Sequence, residues 1–305
     1  MVQERNQWMD IAKGITIILM LLGHTSIPDI ASRFIWSFHM PLFFLASGWM
    51  TNWRKCSGFG EYLTKKAKGI LLPFMVYSAI VLLIFECLIG GGILKHWLTH
   101  GWEAYALWFI PVLFLASVIG WLVNMCPNKY WRYGMMCVML VIGCLLSYYH
   151  CNLAWTLSSV PFATFLVLLG SELRQQQKWI DEPRWWLMIG SFAIALYISH
   201  FWRLDMCFNN ILPIVPLTLG AVAGTLMMFT LSSYIVRYTK LLSRVFQAVG
   251  RETYVVVAFS QIIIMLLNQY FTLNAALKYG ILVIVLVLLV NLKNTINRAL
   301  KFKLL

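Results

Sequence analysis

The sequence predicts an all-α integral membrane protein of about ten transmembrane helices with both termini in the cytoplasm. Three observations carry that expectation. The chain of 305 residues is 61% hydrophobic and only 11% charged, against about 25% charge in an average soluble domain. Its apolar residues run in stretches long enough to cross a bilayer. Its basic residues are confined to alternate connections between those stretches.

Windows of about 17–25 apolar residues fall at roughly 9–28, 34–53, 69–90, 105–125, 133–149, 155–173, 185–201, 211–236, 251–271 and 276–293. Together they occupy most of residues 1–305, so the chain reads as one polytopic membrane domain with no separate catalytic domain. The first apolar segment lacks a small-residue cleavage site and reads as an uncleaved span. With the N-terminus inside, only Arg33, Lys95, Arg203 and Lys278 fall outside, leaving 20 of the 24 Lys and Arg on the inner side. That bias orients both termini toward the cytoplasm of a cytoplasmic (inner) membrane protein. It also accounts for the net charge of +13 without nucleic acid, for which no reading motif is present.

Smaller features follow from the same solvent. The fourteen Trp suit interfacial anchoring. Pro41, Pro73, Pro111, Pro161, Pro213 and Pro216 lie in or at spans, where proline can kink helices around a cavity. The seven Cys show no CxxC spacing and read as small apolar packing residues. The six His show no metal-ligand spacing, so no metal is expected.

Residues 11–24, IAKGITIILMLLGH, hold an ionisable residue near each end of an apolar helix. Such residues are costly in a membrane and usually functional. Lys13 and His24 are eleven residues apart, which is about 16–17 Å along a helix and about 20° in azimuth. They share one face at different depths, with Asp10 one turn before Lys13 and able to pair with it. Lys13 reads either as a snorkelling interfacial lysine or as a ligand-binding cation. His24 reads either as a histidine bonded to a neighbouring helix or as a proton-transfer group. The second span, FIWSFHMPLFFLASGW over 34–49, carries His39 at a depth matching His24, which suggests a polar site in the outer half of the membrane.

Together these residues resemble the acyltransferase-3 family of membrane acyltransferases, in the branch similar to fucose 4-O-acetylases and other sugar O-acetyltransferases. The first helix matches D-x-x-[KR]-G followed by G-H, in Asp10, Lys13, Gly14, Gly23 and His24. The second matches F-H-M-P-L-F-F-x-x-S-G, in Phe38 to Phe44, Ser47 and Gly48. Lys66, Ala67, Lys68, Leu71, Leu72 and Pro73 resemble the basic opening of the family's third helix, and LWFIPVLF over 107–114 is also similar. In GRETYVVVAFSQ, residues 250–261, Ser260 stands where similar proteins often carry His.

The resemblance implies transfer of an acyl group, usually acetyl from acetyl-CoA, to a sugar hydroxyl of a surface glycan or its lipid-linked precursor. It implies that the His of the G-H motif, His24, is catalytic, as general base or transient acyl carrier. On that reading His39 orients the acceptor or the oxyanion. Lys13, with Asp10 beside it and helped by Lys66 or Lys68, holds donor phosphate near the inner face, and the thin pantetheine arm runs along the first helix. Glu86, Trp108 and Ser47 are weaker candidates for substrate contact. Ser47 and Gly48 equally suit close helix packing. Arg203 and Asp205, in an outer loop, read either as a solvated pair or as acceptor-binding groups. Two alternatives stay open at this point: an exporter of a glycan or lipid intermediate, and the same fold moving a succinyl group.

Overall fold

The computed structural model describes residues 7–25, 27–88, 92–103 and 105–299, with the side chains of 275, 276 and 299 left out. Arg5, Lys301 and Lys303, counted among the inner charges, lie outside the described residues.

The described chain is helical throughout, apart from one isolated β-bridge between Asp205 and Asn210. The helices are α1 (Gln7–Gly23), α2 (Asp29–Met50), α3 (Phe59–Lys66), α4 (Leu72–Leu88), α5 (Ile93–His100), α6 (Phe109–Met125) and α7 (Lys129–Tyr148). They continue with α8 (Val160–Leu173), α9 (Lys178–Asp181), α10 (Trp185–Phe201), α11 (Ile214–Tyr238), α12 (Lys240–Arg251), α13 (Thr253–Tyr270) and α14 (Ala275–Ala299). A π-helical turn, Ala67–Leu71, fuses α3 and α4 into one rod, and 3-10 turns at Ala106–Trp108 and Ala154–Ser159 lead into α6 and α8.

Each of the ten apolar windows falls on helix. Among the described residues, 7 helices are long and apolar enough to cross a membrane. The other three windows lie on α1 and α10, of 17 residues each, and on α2, whose 22 residues include Asp29, Arg33 and His39. α1 and α10 are set apart by their length, and α2, long enough to cross, by the hydropathy that its polar residues lower.

The bundle is assembled around α2, which packs against α1, α8, α10 and α11. Small residues set the crossings. A Cβ at Gly48 would collide with the Val167 carbonyl oxygen of α8, and one at Gly170 with that of Leu45. Gly48 is thus a packing residue, and it draws α2 against α8 backbone to backbone. The same device joins α1 to α12, where a Cβ at Gly14 would strike the Phe246 carbonyl and one at Gly250 the Asp10 carbonyl. The main core is aromatic, with Phe44, Phe74, Phe109 and Phe162 among its buried residues, and a second cluster gathers Trp8, Trp49 and Phe229 between α1, α2 and α11. α7 and α14 bury least of their surface, as outer helices facing lipid would.

Two expectations change. Six of the tryptophans, Trp8, Trp49, Trp53, Trp102, Trp108 and Trp121, are core residues rather than interfacial anchors. Trp53 and Trp102 are accommodated because their indole N–H groups donate to Ser171 and Ser78. Of the six prolines, only Pro41 is an interior helix proline in the site region. Pro111, Pro161, Pro213 and Pro216 stand at or before the first turn of their helices, where no intrahelical donor is lost, and Pro73 lies inside the fused α3–α4 rod, just past its π-helical turn.

Candidate active site

α1 ends at Gly23, so His24 stands just past the helix C-terminus rather than a turn within it. The chain reverses over a short connection and α2 begins at Asp29. His39 is the eleventh residue of its helix. Trp36, one turn before it, stands beside both imidazoles. Its ring centroid is 5.5 Å from that of His24 and 5.5 Å from that of His39, in edge-to-face arrangement with both. Its indole N–H donates to the Gly23 carbonyl, one of the unsatisfied acceptors at the end of α1, at 3.3 Å. The Arg203 guanidinium lies 4.1 Å from its centroid. Trp36 was not singled out in the sequence, because an aromatic between FI and SF looks like any core residue.

His24 and His39 open into one cavity of about 200 Å³. Met20 of α1, Met40 of α2, Tyr105, Ala106 and Trp108 ahead of α6, the segment 204–208 between α10 and α11, and Gln261 of α13 complete its lining. His39 is buried, and its Nδ1 lies 3.0 Å from the Ile35 carbonyl oxygen. A carbonyl can only accept, so Nδ1 carries the hydrogen and Nε2 keeps its lone pair in the neutral ring. Gln261 is fixed by the same logic. Its Oε1 accepts the Ala106 N–H, so its carboxamide nitrogen is left as a donor. Gln261 closes the GRETYVVVAFSQ stretch, whereas Ser260 beside it is fully buried and does not line the cavity.

The 204–208 segment covers the cavity from the side away from most basic residues. Leu204, Met206 and Cys207 are buried, and the Ser159 hydroxyl donates to the Met206 carbonyl. Asp205 is half-buried in the cavity wall and accepts from the Cys207 N–H at 3.1 Å and the Phe208 N–H at 3.4 Å. Burial pushes its carboxyl above the usual Asp value, against the lowering effect of those two N–H groups and Arg203. Asp205 thus belongs to the cavity wall, while Arg203 is exposed and rests on Trp36.

A second cavity, of about 320 Å³, lies nearer the basic end of the bundle. Lys13 and Arg251 line it, with Phe43, Ser47 and Met50 of α2, Ile70 of the π-helical turn, Phe109, Ile110 and Leu113 of α6, and Tyr254 and Val257 of α13. The buried Asp10 carboxylate sits between the two cations, 3.8 Å from Lys13 Nζ and 3.6 Å from Arg251 Nε. Arg251 ends α12 and reaches the site because of the glycine crossing with α1. The two cavities follow each other along the same elements. Met40 gives way to Phe43 one turn on, Trp108 to Phe109, and Gln261 to Val257. Phe43 and Phe109 meet between them with centroids 5.7 Å apart.

An acyltransferase domain model matches residues 6–292, nearly the whole chain. The chain belongs to the acyltransferase-3 family. It is a multi-pass membrane acyltransferase, and the two cavities are the interior of that enzyme. Nothing among curated proteins or solved structures matches it.

Of the residues expected to serve the acyltransferase, the structure brings His24, His39 and Trp108 to the outer cavity and Lys13 and Ser47 to the inner one, with Asp10 beside Lys13. It does not bring Lys66, Lys68 or Glu86 to either. Lys66 lies over the Tyr62 ring at 5.6 Å, and Lys68 is exposed. Glu86 accepts the Leu94 N–H at 3.2 Å and so holds the first turn of α5.

Proposed function

We propose that this acyltransferase moves acetyl from cytosolic acetyl-CoA to a hydroxyl of a sugar in a surface glycan or its lipid-linked precursor, across ten spans of a bacterial inner membrane with both termini cytoplasmic. The observation that carries the proposal is the succession of two cavities along α1, α2 and α13, cations lining one and imidazoles the other. Lys13 and Arg251 are the groups that would meet donor phosphate, with Asp10 holding both in place. From Lys13 to His24 the rise is about 16–17 Å, a reach suited to a thin pantetheine arm passing Phe43 and Phe109.

In the outer cavity, His24 takes the proton of the acceptor hydroxyl as its oxygen attacks the thioester carbonyl carbon. The His39 Nε2 lone pair accepts a hydrogen bond that orients the acceptor, and Asp205 can accept a second from a neighbouring sugar hydroxyl. The Gln261 carboxamide N–H meets the tetrahedral oxyanion. When the intermediate collapses, the C–S bond breaks, the thiolate takes the proton from the His24 imidazolium, and ester and free thiol leave. The likeness of Phe38–Gly48 to sugar O-acetyltransferases supports a sugar acceptor.

The test is proton NMR of surface polysaccharide from cells with the wild type, a deletion, and His24→Ala at matched membrane levels. Acetyl ester signals from the wild type alone, over an unchanged sugar backbone, are the expected result. Loss of the whole glycan from the deletion points to export instead, and full acetylation by His24→Ala removes His24 from the chemistry.

A further inference from the structure

A third cavity lies at the basic end, apart from both parts of the active site. It holds about 290 Å³ between the end of α2, the junction of α6 and α7, and the end of α8. Arg54, Arg132 and Arg174 line it, with Asn52, Trp53, Asn124, Ser171 and Gln175, and Glu172 is its one carboxylate. That carboxylate is already engaged, taking Arg132 Nε at 3.5 Å, Gln175 Nε2 at 2.8 Å and the Tyr133 hydroxyl at 3.4 Å. The cleft therefore has an excess of two positive charges. Arg174 makes one long bond, from Nη1 to the Thr51 carbonyl at 3.4 Å, and the Arg54 side chain is exposed at the rim.

Three guanidinium groups around a polar cleft make a site for a phosphate, whose oxygens they can grip in pairs. Its surroundings set its level. Tyr130, Trp131 and Tyr133 at the start of α7 are exposed beside Arg132, and Lys129 lies 5.2 Å from the Tyr130 ring. An exposed aromatic row next to basic residues at a helix end is the arrangement found at the headgroup level of a bilayer. Basic pockets between helices at that level bind anionic lipid headgroups.

We infer that the Arg54–Arg132–Arg174 cleft binds a phosphate ester group at the membrane surface. Its source is either the headgroup of an anionic phospholipid or a soluble phosphate.

The experiment uses the full-length protein, delipidated in detergent. Native mass spectrometry with phosphatidylglycerol and with phosphatidylcholine is run beside thermal unfolding with inorganic phosphate. The variant is Arg54→Gln/Arg174→Gln, which leaves the Arg132–Glu172 pair intact. Arg54→Lys/Arg174→Lys guards against a fold defect, and Lys240→Gln/Arg244→Gln, exposed on α12, matches the charge removed.

The expected result is phosphatidylglycerol adducts at least about tenfold over phosphatidylcholine on the wild type and on the α12 variant. The Gln variant loses them and the Lys variant is intermediate. Should lipids not discriminate while phosphate raises the unfolding midpoint of the wild type and not of the Gln variant, the site stands with a soluble ligand. Should neither probe separate wild type from the Gln variant, the inference is overturned.

Discussion

His39 presents its Nδ1 to the carbonyl oxygen of Ile35, one helical turn behind it, at 3.0 Å. The backbone thereby holds the ring and assigns its tautomer, as a carboxylate does in a hydrolase triad. An Asn side chain can keep the bond to Ile35 but has nothing at the Nε2 position. His39→Asn is expected to fold normally and to lower kcat by about 10²–10⁴-fold with a raised acceptor KM. Steady-state kinetics on reconstituted protein checks it. An unchanged acceptor KM with a lost kcat would move His39 from orienting the acceptor to proton transfer.

The Gln261 carboxamide gives its oxygen to the Ala106 N–H, which leaves its nitrogen as the donor of a residue in the cavity wall. Glu at this position keeps the acceptor and removes the donor. Gln261→Glu is expected to reduce kcat by about 10²-fold or more while leaving donor KM near that of the wild type. Equal activity of the Glu variant would show that the oxyanion is stabilised elsewhere.

Lys13 and Arg251 share the buried Asp10 carboxylate across the α1–α12 crossing. Lys13→Ala and Arg251→Ala are each expected to raise donor KM with a smaller effect on kcat, and Lys13→Arg to be milder. Asp10→Asn removes the buried carboxylate that a half-buried Lys13 and an exposed Arg251 share, and is expected to lower the thermal midpoint as well. A donor KM unmoved by either cation change, measured with acceptor saturating, contradicts a donor-anchoring role.

Gly250 touches the Asp10 carbonyl across the same crossing. Gly250→Ala must push α12 off α1 and is expected to cost about 1–3 kcal/mol, or more if the helices cannot part. The signature is a lower unfolding midpoint together with a raised donor KM, because Arg251 moves with the helix. Gly280→Ala, where a Cβ meets open space, is the expected neutral control.

Burial raises the carboxyl of Asp205. The neutral form is thus favoured in the folded protein, and that contribution to stability is complete below about pH 3.9, the ordinary Asp value. It is lost as pH rises through the raised folded value. Asn keeps an oxygen for the Cys207 and Phe208 N–H groups but does not ionise. The midpoint of Asp205→Asn minus that of the wild type is therefore expected to grow as pH rises from about 3.5 to 7. A constant difference across that range would place Asp205 in contact with solvent instead.

The linear sequence was enough to determine the solvent, the helices and the family. Apolar run length places every window on a helix because backbone groups in a bilayer can be satisfied only internally. The D-x-x-K-G and G-H pair on α1 and the F-H-M-P run on α2 identify one end of the site, because periodicity places Lys13 and His24 on one face. Only the tertiary structure decided what joins them there. Arg251, Gln261, Trp36 and Asp205 are from 12 to 237 residues away from His24 in sequence, and no local spacing relates them. Arg251 reaches Asp10 through a glycine crossing, Gln261 acquires its direction from the Ala106 backbone, and Lys66, basic and in a matching motif, turns onto Tyr62 instead. A motif fixes which groups a helix offers and on which face; helix packing decides which of them meet.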